Sequence, residues 1–412
     1  MNYPQSAYLH IPFCYRRCFY CDFPVVPLGD SARGEHGPGS NSIKSYLDLL
    51  YRDISLSPKG IPLATIYIGG GTPSLLSASQ VASLLDHLRS HFGFQYGAEI
   101  TLEIDPASFD KRSLEGFLDA GINRLSLGAQ SFDDNVLREL GRSHSSNDLL
   151  EACDWIQENF KRGRLASWSL DLIRNLPGQN LIAWKRQLLK AISIAPPHLS
   201  IYDLTIEKGT VFAWRVNRGE LSLPNDDLSF DISKITSQIL NRAGFSRYEI
   251  SNYALPGHAS RHNRVYWSGA SWWGFGQGAT ACPWGNRFSR PRTRKLYKEW
   301  LETEETTSKL GSLKSIKKSQ SIPIEDLLIV GLRRREGVNM QELSKGLGWT
   351  NDQLETNTNE LKMVWAYPLK KGWIKQKGWR FYLTDPEGME ISNQILVQML
   401  EWWESLNGCS YD

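Results

Sequence analysis

The stretch that decides the fold is YLHIPFCYRRCFYCDF, which runs from Tyr8 to Phe23. Its first residues are mostly apolar and aromatic, which predicts a short strand that ends at Pro12. Cys14, Cys18 and Cys21 follow with C-x3-C-x2-C spacing, whereas the other three cysteines of the chain stand singly. Thiols that crowd into one loop behind a strand are typical of a metal or cluster site.

The residues alone leave three interpretations of this loop. A structural zinc ion requires four ligands, often from two C-x2-C pairs; the chain has no second pair, although His10 could complete the set. An iron–sulfur cube normally takes four thiolates, so three would leave one iron open to an exchangeable ligand. Simple packing of free thiols is the third interpretation. The spacing favours the cluster, because free cysteines rarely gather on one loop.

Bulk composition describes a soluble globular chain. The 412 residues are 41% hydrophobic and 22% charged, with a net charge of +3, and this length predicts at least two domains. Near-balanced charge argues against nucleic acid as a partner. No apolar run approaches the roughly 20 residues that span a bilayer, and the first residues lack a signal-peptide pattern. We therefore expect a cytoplasmic protein with reduced thiols.

Strand and helix patterns alternate over the first half of the chain, which predicts parallel β/α units. Six strands appear before residue 205, and we expect a partial (β/α)6 TIM-like barrel within an α/β fold. The strands are predicted from residue 7 and at 64–68, 99–104, 124–128, 168–173 and 199–203. We divide the chain into the barrel (1–205), a barrel extension (206–302), a polar linker (303–321) and a small α+β winged-helix-like domain (322–412).

The spacing of Cys14, Cys18 and Cys21, with an aromatic residue before the last cysteine, resembles the signature of the radical S-adenosylmethionine (SAM) superfamily. The sequence YLHIPFC narrows the resemblance to the branch that contains the oxygen-independent coproporphyrinogen III oxidases and the HemW haem chaperones. This resemblance implies a 4Fe–4S cluster on the three cysteines, with SAM chelating the open iron. It also implies that reduction can cleave SAM to a 5′-deoxyadenosyl radical.

Several polar residues and glycines lie in the cysteine segment or near the ends of predicted strands, where β/α barrels place their sites. Each has an ordinary structural alternative, such as a helix cap or an ion pair. The resemblance implies that together they bind SAM: Tyr8, Tyr20, Asp22, Gly70, Gly71, Thr72, Glu103, Gln130, Arg142 and Asp171. The chain departs from the family pattern at two places. Asp105 replaces the usual Asn, and Arg174-Asn175 replaces an aromatic residue and Gly.

Two features separate the oxidases from the chaperones. The oxidases carry a further cysteine two residues after the triplet, where this chain has Phe23, and a long amino-terminal arm, where only thirteen residues precede Cys14 here. Downstream, the sequence HNRVYW contains His262, Tyr266 and Trp267 and resembles the haem-binding motif of the chaperones. Histidine is a common axial ligand of haem iron. A histidine buried in a tryptophan-rich core is the structural alternative.

The resemblance therefore implies a haem chaperone, which binds haem and passes it to an acceptor protein. A coproporphyrinogen III oxidase-like enzyme of porphyrin biosynthesis is the alternative, so enzymatic activity stays open at this point. The implied cofactors are the 4Fe–4S cluster, SAM and haem. Nucleic acid and membrane-spanning segments are not expected, while a homodimer and peripheral contact with a membrane are left open.

Overall fold

A nine-stranded sheet forms the centre of the protein in the computed structural model, which describes residues 3–32, 34–309 and 322–406. Its strand order is β9-β1-β2-β3-β4-β5-β6-β8-β7. Strands β9 and β1 to β6 run parallel, and β8 and β7 follow antiparallel at one edge. The strands are β1 (Ser6–Ile11), β2 (Leu63–Gly70), β3 (Phe94–Ile104), β4 (Arg124–Gln130), β5 (Ser167–Arg174), β6 (His198–Asp203), β7 (Ser246–Glu249), β8 (Asn252–Ala254) and β9 (Trp273–Phe275).

The predicted partial barrel is confirmed, because the six predicted strands are adjacent in chain order. Within the described residues the sheet does not close. Helices connect the parallel strands, and side chains of Ser77, Asp110 and Asn180 accept hydrogen bonds from first-turn N–H groups, which explains where three of them begin. These helices are α1 (Ser40–Leu56), α2 (Ala78–Phe92), α3 (Lys111–Asp119), α4 (Asp134–Leu140), α5 (Ser146–Lys161) and α6 (Leu181–Ile194).

The region predicted as a barrel extension contains regular structure that the sequence pattern did not indicate. Strand β9 returns to pair in parallel with β1, so this region completes one edge of the sheet. Helix α10 continues to Lys309, so the predicted start of the linker at 303 is too early; residues 310–321 lie outside the described residues. The helices are α7 (Val211–Asn217), α8 (Asp226–Arg242), α9 (Arg261–Trp267) and α10 (Arg294–Lys309).

The carboxyl-terminal region has the predicted winged-helix-like order, with helices followed by a β hairpin. Trp365, Phe381 and Met399 are fully buried in its own core. Its strands are β10 (Val338–Asn339), β11 (Ile374–Lys377) and β12 (Arg380–Leu383), in the order β10-β12-β11. Its helices are α11 (Ile324–Leu332), α12 (Met340–Leu347), α13 (Asn351–Val364), α14 (Ala366–Lys371), α15 (Glu387–Glu390) and α16 (Ser392–Leu406).

Buried ion pairs join this carboxyl-terminal domain to the sheet. Arg247 Nη1 lies 3.0 Å from Asp385 Oδ1 and 3.2 Å from Glu390 Oε1. Arg174 Nη2 lies 3.4 Å from Glu390 Oε2. Both arginines are buried, so these carboxylates compensate charges that would be costly in the interior, and the ion pairs stabilise the contact between the two parts. No helix in the described part of the chain is both long and apolar enough to cross a membrane.

Candidate functional site

A cavity of about 410 Å³ opens at the carboxyl ends of the parallel strands. Gly70 is the last residue of β2 and Gln130 the last of β4, and both line it. The volume falls within the range of roughly 300–1,000 Å³ that small-molecule sites occupy. The wall contains the whole cysteine triplet and nine of the ten residues predicted to bind SAM: Cys14, Cys18, Cys21, Tyr20, Asp22, Gly70, Gly71, Thr72, Glu103, Gln130, Arg142 and Asp171.

The cysteine loop forms one wall of this cavity. The short strand Phe13–Cys14 pairs with Val26–Pro27, and the Phe19 N–H donates to Leu140 O at 3.0 Å, so the loop is held at both ends. Burial, together with the two neighbouring thiols, raises the pKa of Cys14 to about 12. Ligation of iron therefore has to displace a proton from this thiol at neutral pH.

The donor set fits a cluster better than a single ion. In the described part of the chain, no three His, Cys, Asp or Glu side chains converge on one point as a lone metal ion requires. A 4Fe–4S cube instead binds each thiolate to a different iron, so its ligands are spaced more widely. His10, considered as a zinc ligand, is buried and bonds the Tyr8 hydroxyl through Nδ1 at 2.9 Å, and neither residue is part of the cavity wall.

Arg142 is already engaged by groups of this chain. Its Nη1 donates to Cys18 Sγ at 3.6 Å, and its Nη2 donates to Asp105 Oδ2 at 2.5 Å and to Gly128 O at 2.9 Å. Burial would raise the pKa of Asp105, but Arg142 and the nearby His144 outweigh it and lower that pKa to about 2. Of the three guanidinium nitrogens of Arg142, only Nε lacks a hydrogen-bond partner among the described residues. A SAM carboxylate would therefore have to share this guanidinium with Asp105.

Two carboxyl groups lie deeper in the cavity wall. Glu103 accepts hydrogen bonds from the Tyr67 hydroxyl at 2.8 Å and from the Gly70 N–H at 2.9 Å. Burial raises the pKa of Glu103 to about 7 despite these two hydrogen bonds. Asp171 accepts from Ser126 and Ser169 hydroxyls at 2.8 and 2.7 Å, and burial raises its pKa as well. Such carboxylates can accept hydrogen bonds from the hydroxyls of a sugar.

The glycine motif allows the end of β2 to pack against the cysteine loop. A Cβ atom on Gly71 would lie 2.4 Å from Phe13 O, and one on Gly70 would lie 2.8 Å from the His10 ring. Gly70 also has a φ of 123°, which side chains other than glycine rarely adopt. The Thr72 N–H donates to Phe13 O at 2.6 Å. These glycines are needed for the backbone itself, and SAM contact by them stays a prediction.

Among the residues of the wall that the sequence did not indicate are Tyr67, Ser126 and Tyr202, and Asp105 was not recognised as the partner of Arg142. Side chains alternate along a strand, so Tyr67 shares a face of β2 with Gly69 and Thr65. This spacing could have been used to predict that Tyr67 faces the site. Tyr8, predicted at the SAM site, stacks instead on Tyr67 with ring centroids 6.1 Å apart. The structure therefore places Tyr8 behind the wall.

The predicted haem motif lies at the opposite ends of the strands. His262 is on α9, and its Nδ1 is 2.8 Å from the Thr65 hydroxyl near the start of β2. Thr65 donates its own proton to Ser6, so His262 Nδ1 is the protonated nitrogen and Nε2 accepts from the Tyr266 hydroxyl at 2.8 Å. The His262 side chain is 0% exposed, and burial lowers its pKa to about 3.

Access to His262 is closed in this conformation. Its Nε2 is the nitrogen that could ligate iron, and the Tyr266 hydroxyl occupies it. Tyr266 in turn packs edge-on against Trp272, with ring centroids 4.9 Å apart, while Trp267 is half-buried. Haem ligation by His262 would thus require the Tyr266 hydroxyl to move, and haem contact by His262, Tyr266 and Trp267 stays a prediction.

Comparison with known proteins agrees with this architecture. The Radical SAM superfamily model matches residues 8–186. The chain is 38% identical to "Heme chaperone HemW" of Synechocystis sp. over 95% of both chains. It is 31% identical to the Lactococcus lactis subsp. lactis protein of the same name, over 96% of this chain and 97% of the other. Coproporphyrinogen III oxidase (HemN) from Escherichia coli, a solved structure, shares the fold with a TM-score of 0.76 at 21% identity, over 96% of this chain and 90% of that one.

Proposed function

We propose that this chain, which belongs to the HemW family of the radical SAM superfamily, is a haem chaperone that binds haem and passes it to an acceptor protein. The observation that carries the proposal is the 38% identity to a haem chaperone over 95% of both chains. Phe23 supports it, because it stands where the oxidase branch is expected to carry a further cysteine. The HNRVYW sequence on α9 supports the haem-binding part.

We further propose that Cys14, Cys18 and Cys21 hold a 4Fe–4S cluster and that the cavity beside them binds SAM. When bound, the cluster supplies an iron that the amino and carboxylate groups of SAM can chelate. Glu103 and Asp171 would accept hydrogen bonds from the ribose hydroxyls. The convergence of three thiols with the carboxyls of Glu103 and Asp171 on one cavity supports this assignment.

For haem, we propose axial ligation by His262 Nε2, with Tyr266 and Trp267 as apolar faces for the ring. The Tyr266 hydroxyl has to leave His262 for this to happen. An incoming iron atom could supply the free energy, because a metal–nitrogen bond replaces one neutral hydrogen bond worth about 0.5–1.5 kcal/mol. A closed resting state also keeps the apolar surface that would contact haem from being exposed to solvent when no haem is bound.

The test is one anaerobically reconstituted preparation, assayed for haem binding by optical titration and for release of carbon dioxide from coproporphyrinogen III. The proposal expects one haem per chain and no carbon dioxide above the background of a Cys18→Ala variant. Decarboxylation at a catalytic rate would establish the oxidase alternative instead. Cytoplasmic location, dimer formation and peripheral membrane contact stay predictions, which fractionation, gel filtration of cluster-loaded protein and vesicle flotation would check.

A further inference from the structure

A second concave site lies on the carboxyl-terminal domain, where the turn after α11 meets β11, β12 and α12. We call it the basic pocket. It is a shallow concavity of about 430 Å³ that is open to solvent, and it is lined by four cationic residues, two carboxylates and one tyrosine: Arg334, Arg335, Lys377, Arg380, Glu336, Glu342 and Tyr382. None of these residues belongs to the cavity at the carboxyl ends of the strands.

The two carboxylates of the basic pocket are already paired. Glu342 accepts from Arg380 at 3.2 Å, and Glu336 accepts from Arg264, which lies outside the pocket on α9. Within the described ranges, no carboxylate lies in ion-pair distance of the remaining cations, which are Arg334, Arg335 and Lys377. The pocket therefore carries a surplus of positive charge.

Arg334 is the residue that this surplus of positive charge destabilises most directly. Its Nε is buried and has no hydrogen-bond partner among the described residues. Burial lowers the pKa of Arg334, and the nearby Arg380 and Arg264 lower it further against the opposing effect of Glu336. A guanidinium that is partly desolvated and faces other guanidiniums is stabilised by an anion that can accept several hydrogen bonds.

The basic pocket adjoins the helix that carries the predicted haem motif. Arg264, which pairs with Glu336, lies on α9 between His262 and Tyr266. Just beyond α9, a Cβ atom on Gly269 would lie 2.4 Å from a methyl carbon of Leu327 on α11. Arg335 also donates its backbone N–H to Tyr248 O at 3.1 Å. The pocket and α9 thus form one continuous junction between the sheet and the carboxyl-terminal domain.

From this geometry we infer that the basic pocket binds the two propionate carboxylates of haem while α9 holds the ring, an inference that rests on the proposed haem binding. Haem presents both carboxylates on one edge of a flat apolar ring, and arginine binds carboxylates in bidentate geometry. Nucleic acid is the poorer fit, because α13, the helix that would enter a DNA groove in a winged helix, carries Asp352, Glu355 and Glu360 against a single Lys362.

The test compares ferric haem with its dimethyl ester, which keeps the ring and the iron but lacks both carboxylate charges. Wild-type protein and an Arg334→Ala/Arg335→Ala variant are titrated with each. We expect the double substitution to weaken haem binding about tenfold or more, the scale of one lost charge-assisted hydrogen bond, and to leave ester binding unchanged. Arg333→Ala is the control, because this substitution removes one positive charge next to the pocket from a residue that does not line it and that donates to Asn393 at 3.0 Å.

The outcomes separate this inference from the function on which it rests. Wild-type protein that binds neither compound would refute haem binding as a whole. Equal haem affinity in the wild type and the double variant, or an equal loss for haem and ester, would overturn the propionate site alone. Circular dichroism and thermal unfolding check that the double variant folds. If it does not, Arg335→Ala, at an exposed position, replaces it, with the same two outcomes on a smaller scale.

Discussion

The two ends of the central sheet differ in how ready they are for a ligand. At the carboxyl ends of the strands, three thiols and several carboxyls, among them Glu103 and Asp171, line an open cavity. At the amino ends, His262 is 0% exposed, and both of its ring nitrogens are engaged by Thr65 and Tyr266. The first end is preformed for a polar ligand, whereas the second has to open before it can bind one.

One aromatic layer separates these two ends. The Tyr67 ring stacks on His262 with centroids 5.2 Å apart, while its hydroxyl donates to Glu103 in the cavity wall. The difference therefore comes from what covers each end. Loops leave the carboxyl end open, but α9, capped by Ser260 and by Glu99, closes the amino end. A protein that carries both a polar cofactor and an apolar cargo can keep them apart in this way.

The largest expected effect is the loss of the cluster. In a triple variant, Cys14→Ala/Cys18→Ala/Cys21→Ala, iron and sulfide content after reconstitution should fall to background and the brown colour should vanish, because no thiolate ligand remains. Cys153→Ala is the control, since this cysteine is buried on α5, away from the loop, and iron content should be kept. Full iron content in the triple variant would refute the cluster assignment.

The enclosure of His262 at the amino ends of the strands predicts an effect on stability. His262→Ala should lower the free energy of unfolding by about 2–4 kcal/mol, because it leaves a cavity and deprives two hydroxyl groups of their partner. Thr65→Val should cost about 1–2 kcal/mol, because it removes one of the two hydrogen bonds of His262 together with the hydrogen bond from Thr65 to Ser6. Urea denaturation measures both values, and haem titration should show a loss of affinity only for His262→Ala. Haem affinity that falls equally in both variants would mean that the substitutions act through folding alone.

At the open end, Glu103→Gln should weaken SAM binding about tenfold to a hundredfold, since hydrogen bonds to charged groups contribute about 1.5–3 kcal/mol. Equilibrium dialysis with labelled SAM on cluster-loaded protein measures this. The control is Glu99→Gln, which also removes one carboxylate charge from β3. The Glu99 side chain contacts only the start of α9, so SAM affinity should not change in this variant. Unchanged SAM affinity in Glu103→Gln would remove Glu103 from the site.

A smaller effect follows from the pKa of Glu103, which burial raises to about 7. Hydroxyl donors favour the ionised carboxylate, so SAM affinity should rise with pH through about 7 and fall about tenfold between pH 8 and pH 6. In the Glu103→Gln variant, SAM affinity should keep any pH dependence that comes from SAM itself and should lose only the contribution from ionisation of Glu103. Identical pH profiles in the two proteins would contradict the role of the carboxylate.

The smallest predicted effect concerns Asp105→Asn. In this chain Asp105 competes for the Arg142 guanidinium, so the substitution should tighten SAM binding severalfold without changing iron content. Equilibrium dialysis and iron analysis on the same preparations measure both quantities. Weaker SAM binding would mean that the Asp105 charge orients Arg142 productively.

Much of the fold could be predicted because its signals are local. The parallel strands are largely apolar, and four of them (β2, β4, β5 and β6) end at glycine or at a polar residue. Helices between the strands begin at side-chain caps such as Ser77 and Asn180. Strand β9 was missed because it has three residues and pairs with β1 from a distant part of the chain. Helix α8 was missed although Asn225 caps it and Asp226 and Asp227 lie in its first turn.

The candidate site shows the same difference between features with a local sequence signal and features that depend on long-range packing. Cysteine spacing indicated the thiols, whereas Glu103 and Asp171 were predicted from the family resemblance together with their positions near strand ends. Which groups satisfy one another depends on packing between distant segments, so the pairing of Arg142 with Asp105 could not be predicted. The enclosure of His262 by Thr65 and Tyr266 had no signal either, because the sequence shows the motif but not the strand against which it packs.

The central claim is that cluster and haem occupy opposite ends of one sheet. Its most direct test is optical titration of ferric haem into the wild-type protein, loaded with cluster and SAM, and into the triple cysteine variant. We predict one haem per chain with similar affinity in both, because the cavity and α9 are separated by the Tyr67 layer. Loss of haem binding together with the cluster would contradict the claim and place the tetrapyrrole in the cavity itself.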